Sequence, residues 1–336
     1  MNLKILADRL GMSKATVSRA LNGYPEVSEV TRQRVVQAAR EAGYQANPMA
    51  RSLAVGRSHV LGTIYAMQSD GLGDSSFLEV MGDVAQALER GRMNFIIAPV
   101  SPANELRSYE QAVRGRRVDG LVVNHTLVHD ERIACLAKAG FPFVAHGRTR
   151  TDLPYAWFDY DNEAGIRMAL ERLLALGHRR VAMLSAPLAL NCSAQRRASF
   201  LSTMASAGLA VDPRFLADDC IDRRSAYRAV QALLSMAPRP TAIVVDNHLA
   251  GLGAVGALLD AGIEIGRDMA LVVWGRMADT LAGLDIATIE QPNARAAGAK
   301  MAAMLLDRID GKPVAGLQEL WQPALHAGAT LCKAVR

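Results

Sequence analysis

The chain has 336 residues, half of them hydrophobic and 21% charged, which excludes an intrinsically disordered protein and leaves room for more than one folded domain. Its first residues, MNLKILADRLG, are too polar for a signal peptide, and no apolar run reaches membrane-spanning length, so we expect a cytoplasmic protein without membrane contact. The four cysteines are scattered without metal-binding spacing, which predicts free thiols in a reducing compartment.

The net charge of +5 is confined to one segment. Residues 1–60 contain nine Lys or Arg against four Asp or Glu, so the totals of 38 basic and 33 acidic residues leave 29 of each for the rest of the chain. An excess of positive charge on one small segment is typical of a protein that binds a polyanion.

Three short helices are predicted in the first 46 residues. The first spans residues 3–10 and ends at Gly11, the second begins after Ser13, and the third begins after Ser28 and ends at Gly43. The side chains expected to face the core are Ile5, Leu6 and Leu10 in the first helix, Val17 and Leu21 in the second, and Val30, Val35, Val36 and Ala39 in the third.

The second helix, within SKATVSRALNG, has an outer face of small and cationic residues, which suits a surface that must approach something closely. The residues on that face are Lys14, Ala15, Ser18, Arg19 and Asn22. Two short helices joined by a turn that contains glycine are typical of a helix-turn-helix.

The next segment, ANPMARSLAVG, predicts a helix of one or two turns. Asn47 is its cap, Pro48 occupies its first position, and it ends near Ala54.

From His59 onward, short apolar runs alternate with helical patterns. The predicted strands lie in HVLGTIYA, NFIIAPV, DGLVVNH, FPFVAHG, RRVAMLSA, TAIVVDN and MALVVWG, and two of the helices lie in FLEVMGDVAQALERG and EAGIRMALERLLALG. This alternation predicts βαβ units with parallel sheets, and its length predicts two α/β lobes with a cleft between them.

These segments resemble the lactose-repressor (LacI/GalR) family of transcription regulators. The most specific matches are ATVSRALNG, VSEVTRQRVVQAAREAGYQAN and NPMARSLA, and weaker ones include TIEQP. The resemblance implies a small all-α helix-turn-helix head and a hinge helix joined to a periplasmic-binding-protein-like core with parallel sheets. The implied boundaries are 1–46 for the head, 47–58 for the hinge, about 59–160 plus 292–320 for lobe 1, and about 161–291 plus 321–336 for lobe 2.

The resemblance implies that the head binds double-stranded DNA, with Lys14, Ala15 and Arg19 at positions that read bases in the major groove. The residues placed for phosphate contacts are Ser13, Thr16, Ser18, Asn22, Thr31 and Tyr44. In the hinge, Asn47, Ala50, Arg51 and Leu53 match the segment that enters the minor groove, where Leu53 is the candidate wedge between base pairs. The structural alternative for Leu53 is a core leucine.

The effector is expected in the cleft between the lobes. Positions carried over from the family are Arg196, Asn247 and Gln291, and further candidates are Asp74, Phe77, Arg148 and Arg276. Arg offers paired donors and Asn offers a donor and an acceptor, which suit hydroxyl-rich or anionic ligands. Asp161 is expected to cap the following helix instead of binding a ligand.

The chain departs from the family at positions that usually carry carboxylates. The late Gly-aromatic-Asp-Asp segment is replaced by Trp274-Gly275-Arg276-Met277, His248 follows Asn247 in place of Asp, and Gly147 stands at an early aspartate position. These changes make the pocket more positive. A sugar is the first expectation, and a sugar phosphate, sugar acid or other anion is the alternative.

Two motifs are expected to be misleading. The sequence GLGAVG (251–256) matches a dinucleotide-binding pattern, but three residues separate it from the strand, so its glycines are expected inside a packed helix. His125 and His129 have a metal-like spacing only if they lie on a helix, and the segment predicts a strand end and loop. We find no catalytic constellation and expect no metal or cofactor.

The sequence therefore predicts a ligand-responsive transcription regulator, a repressor as most members of this family are. A homodimer would place two heads on a roughly palindromic operator of a carbohydrate-utilisation operon. The MNLK start and the VSRALNGYPEVS and HGR segments resemble regulators of α-glucoside uptake. The carboxyl-terminal segment, ATLCKAVR, contains no heptad extension, so a dimer is expected and not a coiled-coil tetramer. The alternative is a cytoplasmic solute-binding protein or small-molecule enzyme on the same α/β core.

Overall fold

The computed structural model describes residues 2–44, 57–67, 75–89, 91, 93–115, 117–277 and 283–334. It divides into two compact units: residues 1–60 with 116–119, and residues 61–115 with 120–336.

The first unit contains three helices, α1 (Leu3–Leu10), α2 (Lys14–Leu21) and α3 (Glu29–Glu41). Asn2, Ser13 and Ser28 cap them by accepting backbone N–H groups with their side chains, as predicted for the two serines. The small core shared by the helices contains Leu6, Ala7, Val17, Ala20, Val27, Val35 and Ala39. The helical hairpin predicted from the sequence is therefore confirmed.

Two of the apolar residues expected in this core are exposed. Ile5 is 51% exposed and Val30 is 79% exposed. Each lies five positions before a residue predicted on the same face, Leu10 and Val35, which is about 140° around a helix. The buried stripe of such short helices is too narrow to include both members of each pair.

In the same unit, the segment after the undescribed residues 45–56 is anchored by Asp119. Its carboxylate accepts the backbone N–H groups of Ser58 at 2.6 Å and His59 at 2.7 Å. The chain therefore has a fixed position just before the first strand begins.

The first sheet belongs to lobe 1 and has the strand order β11-β5-β4-β3-β1-β2. Its strands are β1 (Val60–Ala66), β2 (Asn94–Val100), β3 (Gly120–Val123), β4 (Phe143–His146), β5 (Ala156–Tyr160) and β11 (Gln318–Trp321). The helices between them are α4 (Ser75–Glu89), α5 (Glu105–Gly115) and α6 (Glu131–Lys138), and α11 (Ala294–Ile309) packs on the same sheet.

The second sheet belongs to lobe 2 and has the strand order β12-β10-β9-β8-β6-β7. Its strands are β6 (Val181–Leu184), β7 (Leu216–Ala217), β8 (Ala242–Val245), β9 (Ala270–Trp274), β10 (Ala287–Glu290) and β12 (Ala324–His326). Its helices are α7 (Asn162–Ala175), α8 (Asn191–Ser206), α9 (Arg223–Leu234) and α10 (His248–Asp260). Only the β10–β12 pair is antiparallel among the pairs described.

The carboxyl ends of the two sheets meet where the chain passes between the lobes. The Tyr160 hydroxyl at the end of β5 donates to the Pro292 carbonyl just after β10, at 2.8 Å. A second junction is made by backbone, because Asn191 N–H donates to the Thr126 carbonyl at 2.8 Å and Val128 N–H donates to the Ala189 carbonyl at 2.9 Å. The lobes are therefore connected by the chain segments that pass between them and by two backbone hydrogen bonds between residues 126–128 and 189–191.

The GLGAVG motif lies inside α10, as predicted, and its glycines serve packing. A Cβ on Gly251 would come within 2.5 Å of Val273, and one on Gly253 within 2.1 Å of the Arg223 carbonyl oxygen. Among the described helices, none is long and apolar enough to cross a membrane.

Candidate functional site

The amino-terminal end of α2 is organised by hydroxyl groups. Ser13 Oγ accepts the Thr16 N–H at 3.1 Å and lies 2.9 Å from the Thr16 hydroxyl. Ser28 and Thr31 repeat this arrangement at the start of α3, with the hydroxyls 2.9 Å apart. Three residues predicted to contact phosphate, Ser13, Thr16 and Thr31, therefore also hold helix ends in place.

The outer face of α2 is available for contact. Lys14, Ala15 and Arg19 are exposed, whereas Ser18 and Asn22 are half-buried and joined by a 3.4 Å hydrogen bond. Within residues 2–44, neither of the two cationic side chains forms an ion pair. The face therefore offers two positive charges separated by small side chains, the arrangement that can reach base edges in a groove.

The remaining predicted head and hinge residues divide into two groups. Tyr44 is half-buried and packs against the core of the head. The hinge residues Asn47, Ala50, Arg51 and Leu53 lie outside the described residues.

In the second unit, Arg148 follows β4 and is paired with a buried carboxylate. Its Nε donates to Asp159 Oδ2 at 2.8 Å, and its guanidinium lies over the Trp157 ring. Burial raises the pKa of Asp159 above its usual value, although the neighbouring Arg148 acts in the opposite direction.

On the side of lobe 2, Arg196 on α8 is almost fully buried. Its Nε donates to Asn162 Oδ1 at 2.9 Å, its Nη1 donates to the Asp246 carbonyl at 2.6 Å, and its guanidinium carbon lies 3.7 Å from the centre of the Trp274 ring. Gly165 on α7 makes room for this tryptophan, since a Cβ there would come within 2.5 Å of the indole. Arg196 is thus held over an aromatic face.

Asn162 joins these two groups across the lobes. Its amide donates to Asp159 Oδ1 at 3.4 Å, while its carbonyl oxygen accepts from Arg196. Arg148, Asp159, Asn162 and Arg196 therefore form one polar chain from lobe 1 to lobe 2.

The loop of lobe 1 that forms the backbone bridge has its own buried support. Asp130 accepts the Leu127 N–H at 3.0 Å and pairs with Arg132 at 2.6 Å, and Arg132 also donates to the His125 carbonyl at 2.9 Å. The same arginine pairs with Glu105 of α5. This network fixes the position of the loop from which lobe 2 is contacted.

The other predicted effector residues have different surroundings. Asn247 caps α10 through its Oδ1, and its amide donates to the Cys220 carbonyl and to Asp246 Oδ1, so little of its hydrogen-bonding capacity is left for a ligand. Phe77 is 5% exposed and its ring centre lies 4.4 Å from that of Tyr65. Gln291 is half-buried.

Of the two remaining effector candidates, Arg276 is a described residue and Asp74 is not. Arg276 is exposed and lies two residues before the undescribed segment 278–282. Asp74 lies outside the described residues. As predicted, Asp161 caps α7 by accepting the Ala164 N–H at 2.9 Å.

Sequence reasoning did not select Asp159, Asn162 or Asp246, or Trp274 as a partner of Arg196. Asp246 and Trp274 each lie at the carboxyl end of an apolar strand, the edge of a parallel sheet where ligands usually bind, and this position is the signal that could have identified them. Nothing in the sequence indicates that Asn162 links the two lobes.

Other features of the core lie away from these residues. A cavity of about 180 Å³ lies at the opposite edge of the second sheet, lined in part by Arg179, Arg180 and Phe215. His125 and His129 are on a loop, and the described residues contain no cluster of metal-binding side chains.

Comparison with known proteins supports the two-part organisation. Residues 2–47 match the family model described as bacterial regulatory proteins, lacI family, and residues 58–320 match the one described as periplasmic binding proteins and sugar binding domain of LacI family. The HTH-type transcriptional regulator RafR of Escherichia coli is 36% identical over 333 residues, which cover 98% of each chain.

Two solved structures are similar over almost the whole chain. The transcriptional regulator CelR in its cellobiose complex is 26% identical with a TM-score of 0.73, covering 98% of this chain and 99% of that one. The lac repressor dimer bound to operator and the anti-inducer ONPF is 23% identical with a TM-score of 0.83, covering 99% of each chain. The predicted fold class, a helix-turn-helix head on a two-lobed α/β core, is confirmed.

Proposed function

Because the chain belongs to the LacI family of bacterial regulatory proteins, we propose that it represses transcription as a homodimer whose two heads bind a roughly palindromic DNA operator. Its named relatives are HTH-type transcriptional regulators, and this chain is likewise a DNA-binding transcription regulator and not an enzyme. The solute-binding and enzymatic alternatives are therefore set aside.

The observation that carries this proposal is the outer face of α2. Lys14 and Arg19 are exposed there beside the methyl group of Ala15, on a segment that contains all the excess positive charge of the chain. A helix of this kind fits the major groove, where Lys or Arg donates to guanine and a methyl group contacts thymine. The capping hydroxyls of α2 and α3 are candidate contacts to phosphates.

In the hinge, we propose that Asn47, Ala50, Arg51 and Leu53 enter the minor groove, with Leu53 as the wedge. For the head, hinge and lobes we propose the boundaries expected from the sequence.

The effector is proposed to bind in the cleft, near Arg148 and Arg196, with Asp74, Phe77, Asn247, Arg276 and Gln291 as further candidate contacts. A sugar or sugar derivative is the favoured class, because the CelR structure contains cellobiose and the core matches a sugar-binding family model. A ligand that prefers one arrangement of the lobes would shift the populations of the two arrangements and thereby change operator affinity.

The experiment that tests DNA binding compares Arg19→Ala with Arg40→Ala on DNA from the promoter region of the protein's own operon. Both arginines are exposed, but Arg40 is near the end of α3 and not on the face of α2. Loss of a base contact is expected to cost about 1–3 kcal/mol, roughly 5- to 150-fold in affinity, for Arg19→Ala only. Wild-type affinity should fall by about 10³–10⁵ between 50 and 200 mM salt if about 6–10 phosphates are neutralised. Equal effects of the two substitutions would contradict the assignment of α2.

A further inference from the structure

The cavity of about 180 Å³ in lobe 2 lies at the amino-terminal edge of the second sheet. Val181, which begins β6, and Pro238, shortly before β8, both line it. Its floor is apolar, because the lining residues Val181, Met204 and Phe215 are each no more than 4% exposed. Pockets for drug-sized ligands measure roughly 300–1,000 Å³, so this cavity suits a smaller molecule with a compact apolar group.

The single acidic residue that lines the cavity is already neutralised. The carboxylate of Asp212 accepts from Arg214 Nε at 3.1 Å and from Arg214 Nη2 at 2.6 Å. The Arg214 side chain, and to a smaller extent its backbone N–H, lower the pKa of Asp212 below its usual value. Asp212 therefore remains an ionised partner of Arg214 near neutral pH and adds no net negative charge to the cavity.

The two basic residues that line the cavity are held by backbone carbonyls. Arg179 Nη1 donates to the carbonyls of Leu174 and His178, each at 3.0 Å, and Arg180 Nε donates to the Arg239 carbonyl at 3.0 Å. A carbonyl group fixes a guanidinium without cancelling its charge. Both side chains are therefore oriented and still fully cationic.

The cavity has a surplus of positive charge. Arg179 and Arg180 line it, and Asp212 is balanced by Arg214, which gives three arginines against one aspartate, or +2. Within the part of the chain that the structure describes, neither Arg179 nor Arg180 forms an ion pair. Nε and Nη2 of Arg179 and both terminal nitrogens of Arg180 also have no acceptor there. These donors are available to a ligand.

An apolar floor beside two held arginines defines the chemistry of a matching ligand. Carboxylate and phosphate groups accept the paired donors of a guanidinium, and an arginine that is already oriented loses less freedom on binding. An inorganic anion leaves the apolar floor uncovered, and a neutral compound leaves the guanidinium charges without a partner. A small organic anion satisfies both parts of the cavity.

We propose that this cavity is a second ligand site, which binds a small organic anion whose acidic group accepts from Arg179 and Arg180 and whose apolar group lies against Met204 and Phe215. The site is separate from the proposed effector site, because effector candidates such as Asn247 follow the carboxyl ends of the strands. The inference does not depend on the proposed function, since no DNA-binding or cleft residue takes part in it.

The test is isothermal titration calorimetry of the full-length protein at low ionic strength, because salt screens exposed charges. The organic anions are benzoate, phenyl phosphate and 4-methylpentanoate, and the controls are uncharged benzamide and inorganic phosphate. We expect at least one organic anion to bind with one site per chain, about tenfold or more tighter than either control. Binding of none of the three, or equal binding of benzamide or inorganic phosphate, would overturn the inference.

Glutamine variants locate the site. Arg179→Gln and Arg180→Gln should each weaken binding of the organic anion by about tenfold or more, because each loses a charge-assisted hydrogen bond. Arg228→Gln makes the same change at an exposed position of α9 that does not line the cavity, and it should retain wild-type affinity. Thermal unfolding without ligand checks that the variants are folded. Wild-type affinity in both cavity variants, or an equal loss in Arg228→Gln, would show that the anion binds elsewhere.

Discussion

His178 is a buried histidine that joins the carboxyl-terminal segment to lobe 2. Its Nε2 lies 2.9 Å from the Cys332 carbonyl and must donate to it, so its Nδ1 accepts from the Thr241 hydroxyl at 2.9 Å. Burial lowers the pKa of His178, although the Cys332 carbonyl acts in the opposite direction. The folded protein therefore holds this imidazole in its neutral form.

This arrangement predicts a loss of stability in acid. An unfolded histidine has a pKa of about 6.5, so the stabilisation is fully present above that pH and decreases as the pH falls below it, toward the lower pKa of the folded state. Melting temperatures between pH 8 and pH 5 should decrease less steeply for His178→Gln than for the wild type, whatever the absolute stability of the variant. The exposed His129→Gln is the control and should retain the wild-type dependence. Parallel curves for wild type and His178→Gln would show that His178 does not titrate as inferred.

The role of a single residue could be predicted where neighbouring residues determine it. It could not be predicted where a residue distant in the sequence determines it. Ser13 and Asp161 precede helices with few alternatives for capping, so their roles follow from the sequence. Asn247 is expected at the ligand, and the structure adds a second role, because its side-chain oxygen caps α10 and its amide donates to the Cys220 carbonyl. That partner is 27 positions away along the chain, which no local pattern reveals.

At the scale of elements, the glycines of α10 allow it to pack closely on α9 and the second sheet. The seven quoted strands and the two quoted helices occur where the alternation of apolar and polar runs predicted them. Strands β5, β7, β10, β11 and β12 were not individually predicted. A charged residue interrupts the apolar run of β5 at Asp159 and ends that of β10 at Glu290, whereas β7, β11 and β12 are short strands at sheet edges. Short edge strands lack the continuous apolar run that identifies a buried one.

The packing role of α10 predicts different effects for two glycines in one helix. Gly253→Ala places a Cβ 2.1 Å from the Arg223 carbonyl oxygen, which is much shorter than a van der Waals contact. Helix α9 must therefore move. We expect a loss of about 1–3 kcal/mol in the free energy of unfolding. Gly256→Ala meets nothing closer than Tyr227 at 3.8 Å and should be neutral or stabilising by up to about 1 kcal/mol. Chemical denaturation of both variants measures this, and equal stabilities would contradict the packing explanation.

At the scale of the whole molecule, the sequence separates a basic amino-terminal segment from an electrically balanced core. The distribution of charge and the alternation of strands and helices were sufficient to predict a DNA-binding head and two α/β lobes. They could not predict the contacts between the lobes. The backbone bridge between Thr126 and Asn191 and the polar chain through Asn162 depend on how two separately folded surfaces meet.

These contacts between the lobes are where a ligand can act. The polar chain from Arg148 to Arg196 contains residues of both lobes. A ligand that bonds to both lobes stabilises one of their arrangements over others. The coupling to operator affinity is then the difference between the ligand's affinities for these arrangements, typically about 1–3 kcal/mol.

The most direct test of the account is the affinity of the full-length protein for DNA from its own promoter region, measured with and without a sugar that raises its melting temperature. A ligand-responsive regulator predicts that the sugar changes this affinity by about 5- to 150-fold, in either direction. Tight DNA binding that the saturating sugar leaves unchanged would contradict the claim that the cleft controls the head.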